Sequence, residues 1–473
     1  MGEVFFHSLD RFGGRMALIT ESGDTFTYSE LLSGANNLSS AIESRSVIFQ
    51  VCRNDAESIA AYVGFLRRGA VPLLINDSIN DEAYLNLKDL YHPSYVFLPD
   101  DSSLEVDSSA HGLGGYRLVK TEFERDYDIN PELALLLTTS GSTGSPKLVR
   151  QSYRNISSNT SSIVEYLNIL SGDRAITTLP MSYTFGLSII NTHLYAGAAL
   201  ILTNRTLMER EFWNSLRSGK ATTFGGVPYT YEMLKKLRFW RMETPSLRYL
   251  TQAGGKLVPE MCAEFIDICR DRGMRFIVMY GQTEATARMS YLPWESARSK
   301  PGSIGVAIPG GEFSLKGDDG SIIDEPGVTG ELIYKGDNVT LGYAENRFDL
   351  ARGDERGGTL ETGDMAYSDE DGFYYVVGRK RRFLKVFGNR VNLDDIERLL
   401  KKTGADCACG GVDDALKIYA VSDDIAALKR YVARRTGISP AGFSVVKANE
   451  IPRSSSGKVL YSELEGGRIN VSV

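Results

Sequence analysis

Between residues 28 and 280 the chain alternates between amphipathic helical stretches and short runs of branched and aromatic residues. "YSELLSGANNLSSAI" precedes "SVIFQV", "AESIAAYVGFLRRG" precedes "AVPLLI", and "DEAYLNLKDLYHP" precedes "SYVFL". The rhythm resumes with a helix over 151–168 and "RAITTL", then a helix over 185–196 followed by "AALILT" and "ATTFG". "PYTYEMLKKL" with "LRYLTQ", and "PEMCAEFIDICRDRG" with "MRFIVMY", complete it. Strands separated by a helix cannot close a tight hairpin; the helix crosses over and makes the strands parallel neighbours. Repeated βα units therefore predict mainly parallel sheets covered by helices, with ligands where strands end in loops. The stretches before and after residue 131 read as two such layers.

From about residue 301 short strands punctuated by Gly and Pro replace the helices, as in "GSIGVAIPGGEFSLKGDDGSIIDEPGVTGELIYKG". That pattern predicts a small antiparallel β-subdomain. After "FYYVVGRKRR", the helices "LDDIERLLKK" and "IAALKRYVARR" and the loop "IPRSSSGK" make a short α+β region. The expected fold is α/β. A large N-terminal lobe, residues 1–378, holds two parallel-sheet βα layers and the antiparallel β-subdomain, and a small α+β C-terminal lobe spans 379–473. The basic cluster Arg379-Lys380-Arg381-Arg382 falls at the joint, and 473 residues are too many for one compact core.

Charge and cysteine usage exclude several function classes. A net charge of −7 gives non-specific nucleic-acid binding no electrostatic support. Five cysteines, at 52, 262, 269, 407 and 409, form no CxxC pair, which argues for reduced cytosolic thiols. The histidines at 7, 92, 111 and 193 lack metal-ligand spacing. The N-terminus shows no signal-peptide pattern, and no run approaches the ~18 apolar residues of a membrane helix. A cytoplasmic protein with neither a membrane span nor a nucleic-acid partner is expected.

The chemistry is concentrated in "TTSGSTGSPK", residues 138–147, which follows the apolar run Leu133-Ala134-Leu135-Leu136-Leu137. A core strand that opens into small hydrogen-bonding residues and a lysine suits a phosphate nest, whose backbone N–H groups wrap the oxygens. The Walker template fails here, because Gly141 and Gly144 are only three apart and Pro146 precedes Lys147. Three further stretches follow in order: "YGQTEA" at 280–285, "LETGDMAYSDEDGFYYVVGRK" at 360–380 and "PRSSSGK" at 452–458.

Together these four stretches resemble the adenylate-forming (AMP-binding) superfamily of acyl-CoA synthetases, adenylation domains and luciferases, over nearly the whole chain. The resemblance implies ATP, Mg²⁺ and coenzyme A, or a carrier protein's phosphopantetheine, as cofactors, and a C-terminal lobe that moves. It assigns Thr139, Ser140, Gly141, Ser142, Thr143, Gly144 and Lys147 to the β- and γ-phosphates of ATP. Tyr280 becomes the ring on which adenine stacks, with Gly281 and Gln282 beside it and Gly254 and Gly255 of "QAGGKL" opposite. Thr283 resembles the phosphate-binding threonine and Glu284 the carboxylate that holds Mg²⁺. Asp364 and Arg379 resemble the ribose-binding pair, and Lys458 the lysine that completes the adenylation site. Arg381 stands at the hinge position, and Lys385 and Gly388 match positions serving the second half-reaction. A carboxylate attacking a phosphate brings two anions together, so cations and hard oxygen ligands are required.

The departures carry the substrate reading. Amino-acid-activating relatives have Phe-Asp-x-Ser where this chain has Phe185-Gly186-Leu187-Ser188. Gly186 cannot pair with an ammonium group, so a plain carboxylic acid is expected rather than an α-amino acid. Tyr183 stands at the gate position, and Gly225 and Gly226 of "GGVPYTY" form a pocket wall. The expected activity is an AMP-forming acid–thiol ligase acting on a small-molecule carboxylic acid. The alternatives are transfer to an acyl carrier protein or an amine, an ADP-forming phosphotransferase, and a silent binding scaffold.

Overall fold

The computed structural model describes residues 5–104, 110–138, 147–387, 389–412, 414–453 and 459–465. It divides into two compact units, Met1–Phe313 with Ile333–Leu360, and Ser314–Leu332 with Glu361–Val473.

The first unit contains two large mixed sheets. The eight-stranded sheet runs in the order Gly342–Ala344, Leu148–Ser152, Leu133–Thr138, Val71–Asn76, Val47–Cys52, Tyr95–Pro99, Tyr116–Lys120, Ala110–Leu113. Its centre is parallel and both flanks are antiparallel. Val47–Cys52 is buried along its whole length, as its run VIFQVC, apolar apart from Gln50, requires of a strand covered on both faces. The nine-stranded sheet takes Arg275–Tyr280, Tyr249–Gln252, Thr223–Gly226, Arg174–Ile176 and Ala199–Ile201 in parallel. One core cluster joins residues of both sheets, among them Leu18, Leu74, Leu135 and Leu200, through helices Tyr28–Ser40, Ala56–Arg68 and Thr184–Tyr195.

The layers do not separate at residue 131. Leu133–Thr138 and Leu148–Ser152 complete the first sheet, while the early strands Met16–Ile19 and Thr25–Thr27 close the second. Such exchanges depend on distant partners and leave no local trace. The helix expected over 151–168 spans Tyr153–Leu167, because Leu148–Ser152 is a strand and Ser152 caps the helix, its side chain accepting the Asn155 N–H.

In the second unit, Thr359–Ser368 and Tyr374–Arg379 pair antiparallel. Beyond them a short hairpin, Phe383–Val386 with Asn389–Asn392, precedes the sheet of Asp406–Val412, Ala415–Val421 and Phe443–Lys447. Helices Leu393–Lys401 and Ile425–Thr436 bury Ile396, Leu400, Leu428 and Val432 in its core. The expected joint after Gly378 lies within this unit, where the turn Lys380–Arg382 follows the strand. No helix among the described residues is long and apolar enough to cross a membrane.

Candidate active site

Strand Arg275–Tyr280 delivers the YGQTEA motif to the end of the nine-stranded sheet's parallel core. A side chain at position 281 would bring its Cβ to 1.8 Å from the Ala287 carbonyl oxygen, so only glycine fits. The chain then makes a turn at Thr283–Ala285 and reverses through Thr286, at φ 64° and ψ −61°. The Ala287 N–H donates to the Ala285 carbonyl at 2.7 Å, closing a γ-turn that is strained for a β-branched residue. Surrounding bonds hold the strain. The Thr286 hydroxyl donates to the Asn338 carbonyl at 2.7 Å, and the Thr184 hydroxyl donates to the Thr286 carbonyl at 3.1 Å.

This reversal presents Glu284 to a cluster built from distant sequence. Its Oε1 accepts from the Tyr343 hydroxyl at 2.7 Å. Its carbonyl accepts the Thr340 N–H at 3.0 Å, the Thr340 hydroxyl at 2.9 Å and the Arg356 guanidinium at 2.9 Å. Lys147 places its ammonium 4.0 Å from the centroid of the Tyr343 ring, and Arg356 places its guanidinium 4.7 Å from it. Burial, with Glu284 alongside, pushes the Tyr343 hydroxyl up to about 12, so it remains a donor at neutral pH. Lys147, Tyr343, Asn346, Arg352 and Arg356 line a cleft of about 470 Å³. Glu345, Asp349 and Glu355 line it too, so the cleft mixes three cations with three carboxylates, a balance that suits a polyanion bringing its own metal.

Glu284, with the Thr283 hydroxyl one residue before it, offers hard oxygen donors. Among the described residues no cluster of three acidic, His or Cys side chains could hold a metal alone. That composition fits Mg²⁺, which is usually held by one or two carboxylates while phosphates and water supply the rest.

The adenine and acid candidates lie in the same unit. Gln282 donates to the Tyr280 hydroxyl at 3.2 Å. Gly254, at φ +77°, meets Tyr183: a Cβ there would sit 2.6 Å from the phenol oxygen. Buried Gln252 fixes this loop by donating to the Gly255 carbonyl at 2.8 Å. Gly225 is held bare by Ile189, whose Cδ1 would lie 2.7 Å from an added Cβ, with a Phe185 ring carbon at 3.4 Å. Gly226 is similarly confined by Thr230. A Cβ on Gly186 would meet the Pro180 carbonyl oxygen at 2.3 Å, so backbone packing at the start of helix Thr184–Tyr195 itself imposes glycine there.

Within the second unit, Asp364 and Arg379 are cross-strand partners, and Arg379 Nε lies 2.7 Å from the Asp364 carboxylate. The two ribose candidates are therefore one ion pair. Arg381 lies in the turn Lys380–Arg382, and Lys385 sits opposite Arg390 in the short hairpin. Thr139, Ser140, Gly141, Ser142, Thr143, Gly144, Gly388 and Lys458 lie outside the described residues.

Sequence reasoning missed Tyr343, Arg356 and Arg150. The last is a fully buried arginine that ties down the segment carrying the other two. None belongs to a glycine-rich or acidic motif, so only the fold reveals them.

Known proteins match this chain in sequence and in fold. The family model described as AMP-binding enzyme matches residues 5–344. The chain is 27% identical to a 2-succinylbenzoate–CoA ligase of Bacillus subtilis, over 96% of this chain and 95% of that one. It is also 27% identical to an indoleacetate–CoA ligase of Aromatoleum aromaticum, over 79% and 77%. The fold matches the O-succinylbenzoate coenzyme A synthetase of Bacillus subtilis solved with AMP, at a TM-score of 0.79 and 22% identity over 99% of both chains.

Proposed function

Because this chain belongs to the AMP-binding enzyme family, we infer that it is an AMP-forming acid–CoA ligase. A carboxylate oxygen attacks the α-phosphorus of ATP, the bond to the β-phosphate oxygen breaks, and pyrophosphate leaves. The thiolate of coenzyme A then attacks the acyl carbon and AMP departs, so one ATP yields AMP and pyrophosphate for each thioester formed. The observation that carries this reading is the convergence of Glu284, Lys147 and Arg356 on Tyr343 beside an open cleft. Lys147 and Arg356 receive the outer phosphates there, and Tyr343 orients the Glu284 carboxylate. Glu284 and Thr283 would hold Mg²⁺, which would offset charge on the phosphate oxygens. Tyr280 and Gly254 flank the adenine, and Asp364 with Arg379 takes the ribose. Arg381, in the turn Lys380–Arg382 just past the proposed 378/379 boundary, is the proposed hinge.

Relatives named for indoleacetate and for succinylbenzoate do not fix the acid. Coenzyme A is the acceptor we favour, with an acyl carrier protein as the competing thiol. A cytoplasmic location is proposed on the five cysteines, all buried and none in a disulfide. Acid-dependent exchange of labelled pyrophosphate into ATP tests the central claim; product analysis giving ADP in place of AMP and pyrophosphate would overturn it. Glu284→Ala is expected to raise the Mg²⁺ concentration needed for half-maximal exchange by about 10-fold or more. An unaltered Mg²⁺ dependence removes Glu284 from that role.

A further inference from the structure

Arg288 is only 3% exposed, and among the described residues no carboxylate pairs with it. Its guanidinium lies 3.9 Å from the centroid of the Phe185 ring, and its Nε points at the Met279 sulfur, 3.4 Å away. The Tyr166 phenol oxygen accepts a further hydrogen bond from Arg288, but all three partners are neutral, and an arginine is rarely enclosed without an anion to offset its lost hydration. Its backbone is held firmly: Asn159 and Asn338 donate to the Arg288 carbonyl at 2.8 Å and 3.0 Å.

The guanidinium borders a cavity of about 20 Å³, also lined by Ser188, Gly225, Tyr249 and Thr251. The Tyr249 hydroxyl is buried and has no hydrogen-bond partner, a second polar group in the same wall waiting for a ligand atom. His193, on the same wall, is pushed down to about 4 by burial and is neutral. The space holds roughly one water-sized group, room for a single carboxylate oxygen. Phe185 and Gly225 belong to the proposed acid pocket, and the Tyr183 hydroxyl is near enough for Arg288 to offset part of the upward shift that burial imposes on it.

We propose that Arg288 receives a second carboxylate at the far end of the substrate, so that the acid activated is a compact dicarboxylic acid. The assignment rests on the ligase reading and deepens it. One carboxylate reacts with ATP beside Tyr183 and Gly254, and the other is bound by Arg288, with Tyr249 as a neutral donor. The same positive charge repels an ammonium group, an exclusion of amino acids that does not depend on Gly186.

The test is pyrophosphate exchange by the full-length enzyme with matched pairs: malonate against propionate, succinate against butyrate, glutarate against valerate. At least one dicarboxylic acid is expected to exceed its monocarboxylic partner in kcat/KM by about 100-fold or more, because a site built to bind a charged group rejects the analogue lacking it. Arg288→Met is expected to bring that ratio near one, mainly through KM for the dicarboxylic acid, while Arg288→Lys retains part of the preference. Equal use of both members of every pair by the wild type overturns the assignment and leaves the ligase reading standing. An unchanged ratio in folded Arg288→Met, with its melting profile as the control, does the same. Failure of every acid to support exchange overturns the ligase reading and this assignment together.

Discussion

Arg150→Met is expected to lower the stability of the first unit by roughly 3–5 kcal/mol and to weaken ATP use along with it. Arg150 lies on strand Leu148–Ser152, three residues after Lys147, with its side chain wholly enclosed. Its guanidinium donates to the carbonyls of Tyr343 at 3.1 Å, Leu341 at 3.1 Å, Arg352 at 2.5 Å and Gly353 at 3.3 Å, and pairs with Glu355 at 2.5 Å. Methionine fills much the same volume but donates nothing, so buried carbonyls lose their partners and each costs about 1–3 kcal/mol. The segment that loosens carries Tyr343, Arg352 and Arg356, which line the cleft with Lys147. A lower denaturant midpoint with a raised KM for ATP is the expected pair of results. Arg150→Lys should rescue little, since one ammonium cannot span five acceptors in a plane. Wild-type unfolding and ATP kinetics in Arg150→Met would show that the clamp is incidental.

How much of this was legible in the sequence varies with the range of the interaction. Local signals did well for the fold, where the alternation of elements gave the parallel strands of both sheets; the Gly-rich and acidic motifs supplied Lys147, Glu284, Asp364 and Arg379 as candidates. Lys147 and Glu284 meet at Tyr343, and Asp364 with Arg379 forms a cross-strand pair. What depends on distant partners was not legible. The γ-turn at Thr286 is invisible because threonine does not favour positive φ; bonds to Asn338 and Thr184 impose it. Gly186 read as a statement about substrate charge, yet the Pro180 carbonyl leaves no room for any side chain there. Arg288 belongs to no motif, and a lone arginine carries no sign of burial until the strands around it are placed.

Lys458→Ala is expected to depress acid-dependent pyrophosphate exchange by on the order of 10²–10³, while thioester formation from supplied acyl-AMP keeps most of its rate. In the first half-reaction negative charge builds on oxygens around the α-phosphorus as the carboxylate enters and pyrophosphate leaves. A positioned ammonium there acts mainly in the transition state, so its removal lowers kcat more than it raises KM. When acyl-AMP is supplied, that bond is already broken, and the thiol attacks a neutral carbonyl carbon whose leaving group is the AMP phosphate. Lys385, proposed for this second step, gives the complementary variant: Lys385→Ala should slow thioester formation more than exchange. A lysine that merely raised the positive potential of the whole site would affect both steps in proportion. Equal losses in the two half-reactions for Lys458→Ala would therefore remove the division of labour between these residues, even if the enzyme proves to be a ligase.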